Sequence, residues 1–408
     1  MKLICSYEKL LSTIQDVSSV VEDNMLDDNM KNIIFLFDKQ DNSVTLMAIN
    51  QLITYRRVLP YEEYSLEITD EEYKDGKLFI QLKSKELINF LGSFKGLRCT
   101  KIDEVFLETT PRGKIRCVVI ESSTDSDGGA PSDSCWIFDN LPINRNLEAN
   151  INLAYDGEWT QIDKTEVQFH TNNLFPSQSN VNTINGYLMF GEEYVVVFNT
   201  HHVAFMKNLI TEGGIFSGIK LSYKASSFLD RLVSNFDNLS FAKTDRHLVV
   251  KTDDSEAFIV YDTRLADFSN FVPFERERGI ILERVRFKDM LKRFSSLTEF
   301  INFEVVPDEG VMYLKTTKLE TTIPILNQKA LDGVASVSFK VSGAGISKAI
   351  IGVNDDEFPM ELRIYFQEHC GNAQGLCLTD SSEANYSIIK TKVTYKDAAP
   401  SAPVPPVQ

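Results

Sequence analysis

Six times along the chain a short β-rich run leads through a lysine-bearing stretch into an amphipathic helical pattern. The copies are KLICSYEKLLSTIQDVSSVV from Lys2, KLFIQLKSKELINFLGSF from Lys77 and GEWTQIDKTEVQFHTNNLF from Gly157. They continue with GIKLSYKASSFLDRLVSNF from Gly218, GIILERVRFKDMLKRFSSL from Gly279 and ASVSFKVSGAGISKAIIGV from Ala335. The fifth is the clearest: Phe287, Met290, Leu291 and Phe294 fall at i, i+3, i+4 and i+7, a single apolar stripe. Between the helices the text alternates as strands do, and polar-plus-Gly breaks such as DKQDN, TPRGK and KTDDSE predict hairpin turns. Each unit therefore reads as one helix with a few antiparallel strands, an α+β pattern. One helix cannot cover so small a sheet, so two units should pair into a domain. This predicts three domains, 1–148, 149–277 and 278–396. SSTDSDGGAPSDS (122–134) reads as a long flexible loop, and DAAPSAPVPPVQ (397–408) as a disordered Pro-rich tail with no assigned role.

Length agrees, since 408 residues exceed one ordinary core. A hydrophobic content of 43% with 25% charged residues is that of a soluble globular chain, and no apolar run is long enough for a membrane helix. No secretory leader is evident at the N-terminus, so an intracellular, cytoplasmic location is expected. The six cysteines fit reduced thiols: His369, Cys370 and Cys377 lack the spacing of a zinc site, and no metal or cofactor is expected. TEGGIFSG (211–218) lacks the order of a phosphate cradle, and no nucleophile elbow, kinase or paired-carboxylate motif appears. The chain does not read as an enzyme.

A net charge of −16 argues against nucleic acid if spread evenly, but an acidic shell around a basic surface has the same sum. All six helices carry a lysine in or near the first turn: Lys9, Lys85, Lys164, Lys224, Lys288 and Lys348. A cation there opposes the helix dipole, so helix stability does not explain it. Lys95 and Arg98 follow the second helix, Arg231 lies on the fourth and Lys292 on the fifth. Turned to one side, such helices would meet duplex phosphates without reading bases.

The adjacent pair His201 and His202 ends a strand in NTINGYLMFGEEYVVVFNTHHVAF (182–205). A metal site, a structural pair and a groove wall are all open on the residues alone.

With its sixfold repeat, the chain resembles DNA sliding clamps of the bacterial β type. The local match is INGYLMF (184–190), the GEE turn and NTHHVAF (199–205), standing where the family has Leu-Asn-Gly, a hairpin and Thr-Asp-Gly-His-Arg-Leu. DTRLADFSNFVPFERE (262–277) is similar to the family's second linker, and NYSIIKTKV (385–393) to its final strand. The resemblance implies domains of two inner helices backed by antiparallel sheets, with two chains closing head to tail into a homodimeric ring around double-stranded DNA. It implies DNA polymerase and a clamp loader as partners, in a bacterial cell or a phage-infected host. It further implies a peptide groove at Ile184, Asn199, His201, His202, Val203, Pro273 and Ile389. His201 stands for the family's Gly, Val203 for Arg, and Lys390 and Thr391 for Pro and Met, so the preferred peptide is expected to differ. The alternative is a clamp-like protein that tethers RNA polymerase or other phage machinery, or a structural protein with the same architecture.

Overall fold

The computed structural model describes residues 1–21, 28–69, 76–96, 100–123, 132–171, 187–198, 202–210, 214–264, 274–351, 361–370, 373–381 and 383–397. They form two compact units: Met1–Ile162 with Phe236–Val260, and Asp163–Asn235 with Tyr261–Gln408. This partition by packing cuts across the middle third of the chain, which contributes strands to both units.

The first unit holds two antiparallel sheets. One runs β5 (Tyr64–Glu67), β1 (Lys2–Cys5), β7 (Thr100–Thr109), β8 (Ile115–Ser123), β9 (Ser132–Phe138). The other runs β10 (Thr160–Gln161), β15 (Ser240–Lys243), β16 (His247–Lys251), β17 (Ser255–Val260), β4 (Ile53–Val58), β3 (Ser43–Ile49), β2 (Asn32–Asp38), β6 (Lys77–Lys83). The second unit holds one continuous sheet. Its first part is β14 (Ile219–Ser222), β11 (Tyr187–Phe190), β12 (Tyr194–Phe198), β13 (His202–Lys207), β25 (Tyr386–Lys390), β24 (Ala373–Thr379), β23 (Glu361–Cys370) and β18 (Arg278–Glu283). It continues through β21 (Glu320–Lys329), β20 (Val311–Lys315), β19 (Phe300–Val306), β22 (Val334–Ser342) and β26 (Val393–Asp397).

Each expected helix follows a strand almost directly. They are α1 (Tyr7–Ser18), α2 (Ser84–Gly92), α4 (Lys164–Thr171), α5 (Tyr223–Asn235), α6 (Arg284–Ser295) and α7 (Gly343–Ile351). The strand leaves its last residue extended, as at Lys83 (φ −65°, ψ 118°) and Glu283 (φ −72°, ψ 115°), and in these two cases the helix starts without a side-chain cap. Its stability therefore comes from burying the apolar stripe. Leu10, Leu11, Ile14 and Val17 are buried on α1, and Phe287, Leu291 and Phe294 on α6. Helices pack two by two, α1 on α2, α4 on α5 and α6 on α7, as the pairing argument requires. A seventh helix, α3 (Arg145–Ile151), was not expected; it buries Leu147 and Ile151 against Ile34, Met47 and Ile49.

The three turns predicted from DKQDN, TPRGK and KTDDSE join β2 to β3, β7 to β8 and β16 to β17. The tail reading needs one correction: the chain turns after β25 and forms β26, so strand continues through Asp397, and Val393 and Tyr395 supply the alternation. Residues 398–408, and 124–131 of the expected loop, lie outside the described residues.

Two strand junctions carry the long sheets. β4 pairs with β17, Ser255 opposite Arg57 and Ile259 opposite Ile53. Arg56 pairs with Glu256 across that junction, and Arg57 reaches Asp254 at 2.9 Å and Asp16 of α1 at 3.0 Å. β13 pairs with β25, where the rings of Phe205 and Tyr386 stack at 4.8 Å. In both, the strand that closes one repeat joins the sheet of the repeat before it.

A buried histidine makes the fold acid-sensitive. His170 of α4 is fully buried against Phe169 and Phe190, and its Nε2 accepts from the Leu209 amide at 3.3 Å. Burial lowers its pKa from 6.5 to about 4. The native state therefore resists a proton that the unfolded chain accepts. Stability is complete above the unfolded value and is lost as pH falls from about 6.5 toward about 4. The loss should be of the order of 3 kcal/mol by the linkage relation. Chemical denaturation across that window should show it, and His170→Gln should flatten the dependence.

Candidate nucleic-acid interface and partner site

The expected basic positions fall on the three helix pairs. On the first pair Lys9 is half-buried on α1, Lys85 is exposed in the first turn of α2, and Lys95 is exposed just beyond that helix. On the second, Lys164 begins α4 and is half-buried, and Lys224 is exposed at the start of α5. Arg231 lies half-buried on α5 with its guanidinium 5.0 Å from the Phe228 ring centroid. On the third, Lys288 is half-buried and Lys292 exposed on α6, and Lys348 belongs to α7. Arg98 lies outside the described residues.

α6 is the most basic of these helices. Its sequence RVRFKDMLKRFS holds Arg284, Arg286, Lys288, Lys292 and Arg293 against Asp289 alone. Arg286 and Arg293 are exposed beside Lys292 and belong with the candidate positions, while Arg284 is buried and belongs to the packing. A helical wheel separates Arg286 and Arg293 from the stripe of Phe287, Leu291 and Phe294, so the signal was present. The burial of Arg284 carries no such signal, because it depends on how β18 hands the chain into the helix.

The histidine pair divides. His201 is outside the described residues, as are Ile184, Asn199 and Pro273. His202 begins β13 directly opposite Ile389 of β25, and Val203 faces Ile388. All three expected groove residues here are packed inside: His202 is 4%, Val203 0% and Ile389 1% exposed. The His202 imidazole lies against α7 so closely that a Cβ on Gly345 would stand 2.7 Å from both its Cε1 and Nε2. Glycine at 345 is thus required by the histidine. Gly345→Ala should destabilise the protein by about 1–3 kcal/mol. The double variant with His202→Ala should cost clearly less than the sum of the single changes, read by urea unfolding.

Close to this junction a charged knot fastens the segment that enters β18. Glu383 accepts from Tyr365 at 2.8 Å, from Arg276 at 3.1 Å and from Arg363 at 3.1 Å. Against burial, which would raise it, those bonds hold the Glu383 carboxyl below its usual range. The cleft of about 330 Å³ beside it, lined by Lys329, Arg363, Tyr365 and Glu383, has its charges already matched. Among the described residues no group of three or more His, Cys, Asp or Glu side chains stands together as metal ligands, and no helix is long and apolar enough to cross a membrane.

This architecture, paired helices on long antiparallel sheets built from a repeated strand–helix unit, is that of the bacterial DNA sliding clamps. The DNA polymerase sliding clamp of Bacillus subtilis superposes with a TM-score of 0.68 at 14% identity, covering 96% of this chain and 98% of that one. The DNA polymerase III β subunit of Thermotoga maritima gives 0.66 at 13% identity, with 96% and 98% covered. The Helicobacter pylori β clamp, solved bound to a DNA ligase peptide, gives 0.64 at 13% identity, with 96% and 99% covered. No protein-family model matches the sequence, and no curated protein sequence matches it. The fold is therefore shared with these clamps over nearly the whole of both chains, while the side chains have almost entirely diverged.

Proposed function

We propose that the chain is a DNA sliding clamp: two copies close head to tail into a ring around duplex DNA and tether a replicative DNA polymerase as its processivity factor, without catalysing a reaction. The repeats 1–148, 149–277 and 278–396 are its three domains. The observation that carries this reading is the pair of strand junctions. β17 and β25, each the last strand of its repeat's sheet, add to β4 and β13 of the repeat before. Their equivalent in the first repeat is β9, an edge strand with no partner beyond β8 among the described residues. The equivalent of β4 and β13 in the third repeat is the first half of β21, which among the described residues pairs only with β20. A third junction of the same kind, β9 of one copy on β21 of the other, uses both edges, and repeated at both seams it closes a ring.

The side chains on these edges suit a partner. Trp136 and Ile137 of β9 are 51% and 56% exposed. Exposed apolar edges are otherwise an aggregation hazard. The basic helices then supply sequence-blind contacts to phosphates, loose enough to slide. A partner peptide from the polymerase or a clamp loader would bind near the β13–β25 junction.

The test is retention on DNA. Loaded onto nicked circular duplex, the protein should stay bound at high salt and be released when the circle is cut, as topology alone requires. Equal retention on circular and linear DNA would remove the ring. Capture with DNA polymerase subunits rather than RNA polymerase subunits would separate the proposed role from tethering a transcription enzyme.

A further inference from the structure

In each repeat the strand that leads into the second helix of the pair has an earlier strand on one side, and the segment leaving the repeat meets its other edge. In the first repeat that segment meets Gln81 of β6. The Gln81 amide donates to the Asn140 Oδ1 at 3.1 Å, and its carbonyl accepts from the Leu141 amide at 3.0 Å. In the second, Lys220 of β14 and Asp262 exchange two backbone bonds of 2.9 Å and form an ion pair at 3.2 Å. In the third the cover is a whole strand. β26 runs antiparallel along β22, from Val393 opposite Phe339 to Asp397 opposite Val334.

The three edges differ in what they would expose. β14 has four residues, and β6 begins and ends on lysine, Lys77 and Lys83, charges that discourage a foreign strand. β22 has nine residues, VASVSFKVS, without proline and with Lys340 as its one charge. Its first six, Val334 to Phe339, are uncharged and built on Val334, Val337 and Phe339, the composition of a segment that pairs with copies of itself. β26 covers these six and is held firmly there. Val393 is buried in the core, the Tyr395 hydroxyl donates to the Phe366 carbonyl at 3.2 Å, and Arg278 lies 5.2 Å from the Tyr395 ring. Thr394, Lys396 and Asp397 are exposed.

We infer that β26 is a self-blocking strand: by occupying the edge of β22 it denies that edge to the β22 of a second copy. The match of cover to hazard carries the inference. β26 spans Val334 to Phe339 and stops short of Lys340, the one position where the edge is protected by its own charge. Only Thr391 and Lys392 separate β26 from β25, so its effective concentration at β22 exceeds that of any free chain. β26 is the last strand of its sheet among the described residues, and Lys396 and Asp397 discourage the same addition one strand further out. Self-association is then left to the β9 and β21 edges. The block stands on the third repeat alone; the size of the assemblies expected below rests on the ring reading, in which each ring has two β22 edges.

The test removes β26 and reads mass by analytical ultracentrifugation. The full chain is compared with chains ending at Asp397 and at Lys392. The full chain and the one ending at Asp397 should sediment alike. The chain ending at Lys392 should form assemblies that grow with concentration and exceed the dimer mass at least about fivefold, because two-fold pairing through β22 links ring to ring without closing. In the Trp136→Asp, Ile137→Asp background each chain offers one β22 edge, so the shortened chain should pair and go no further. A synthetic peptide of residues Thr391–Asp397, TKVTYKD, in millimolar excess should disperse both kinds of assembly, and a scrambled peptide should not. Thr394→Pro with Tyr395→Pro in the full chain disables the strand without shortening the protein and should reproduce the assemblies. Equal masses for the full and shortened chains would overturn the block, as would assemblies that grow without limit in the seam variant or ignore the peptide. A monomeric full chain whose shortened form pairs and stops would overturn the ring and leave the block standing.

Discussion

Aspartate at both Trp136 and Ile137 is expected to convert the proposed ring to monomers, weakening association by at least about a hundredfold, roughly 3 kcal/mol. Both side chains are about half exposed on β9, so the isolated chain loses little by the change. Trp136 is the stronger anchor. Its ring stands 6.1 Å from Phe90 of α2 and 6.5 Å from Phe138, a rigid aromatic group of the kind that dominates interfaces. At the seam the new carboxylates would have to shed water without a counter-charge, which adds to the lost apolar area. Analytical ultracentrifugation of the variant beside the parent measures the effect, and unchanged circular dichroism shows that the fold survives. A variant that still sediments as a dimer would rule out β9 as the seam.

Charge reversal at Lys288 and Lys292 is expected to weaken binding to a short linear duplex at least about tenfold at low salt. Each lysine that meets a phosphate contributes about 0.9 to the slope of log affinity against log salt. Losing both should make that slope shallower by about 2 per chain engaged. Lys292 is exposed and Lys288 half-buried at the edge of the buried stripe of α6, so folding should be intact. Fluorescence anisotropy across a salt series is the measurement. A parallel loss of affinity at all salt concentrations, with the slope preserved, would mean that the lysines act through the protein and do not touch phosphate.

The strand–helix repeat was legible because its carriers are local. Phe287, Leu291 and Phe294 are spaced for one helical face, and the turn residues of KTDDSE stand next to the strands they join. α3 and β26 were overlooked although they carry weak periodic signals. Leu147 and Ile151 are four apart in a stretch that otherwise reads as a linker, and the Val393 and Tyr395 alternation is followed by prolines. The junctions of β4 with β17 and of β13 with β25 were not legible, since nothing local in Arg57 or Ser255 encodes that they face each other across the chain. The candidate site was partly legible for the same reason. Lysines near helix starts can be counted, but the burial of His202 follows from Gly345, a residue far along the chain that only packing brings to it.

The offset between chain and sheet has a mechanical consequence. Because β13 pairs with β25, a backbone cut between Arg264 and Phe274 would leave the fragments riveted to each other by an intact ladder from His202–Ile389 to Phe205–Tyr386. The protein should accordingly tolerate being supplied as two separately translated pieces, with the split masked by a sheet that ignores where the polypeptide is severed.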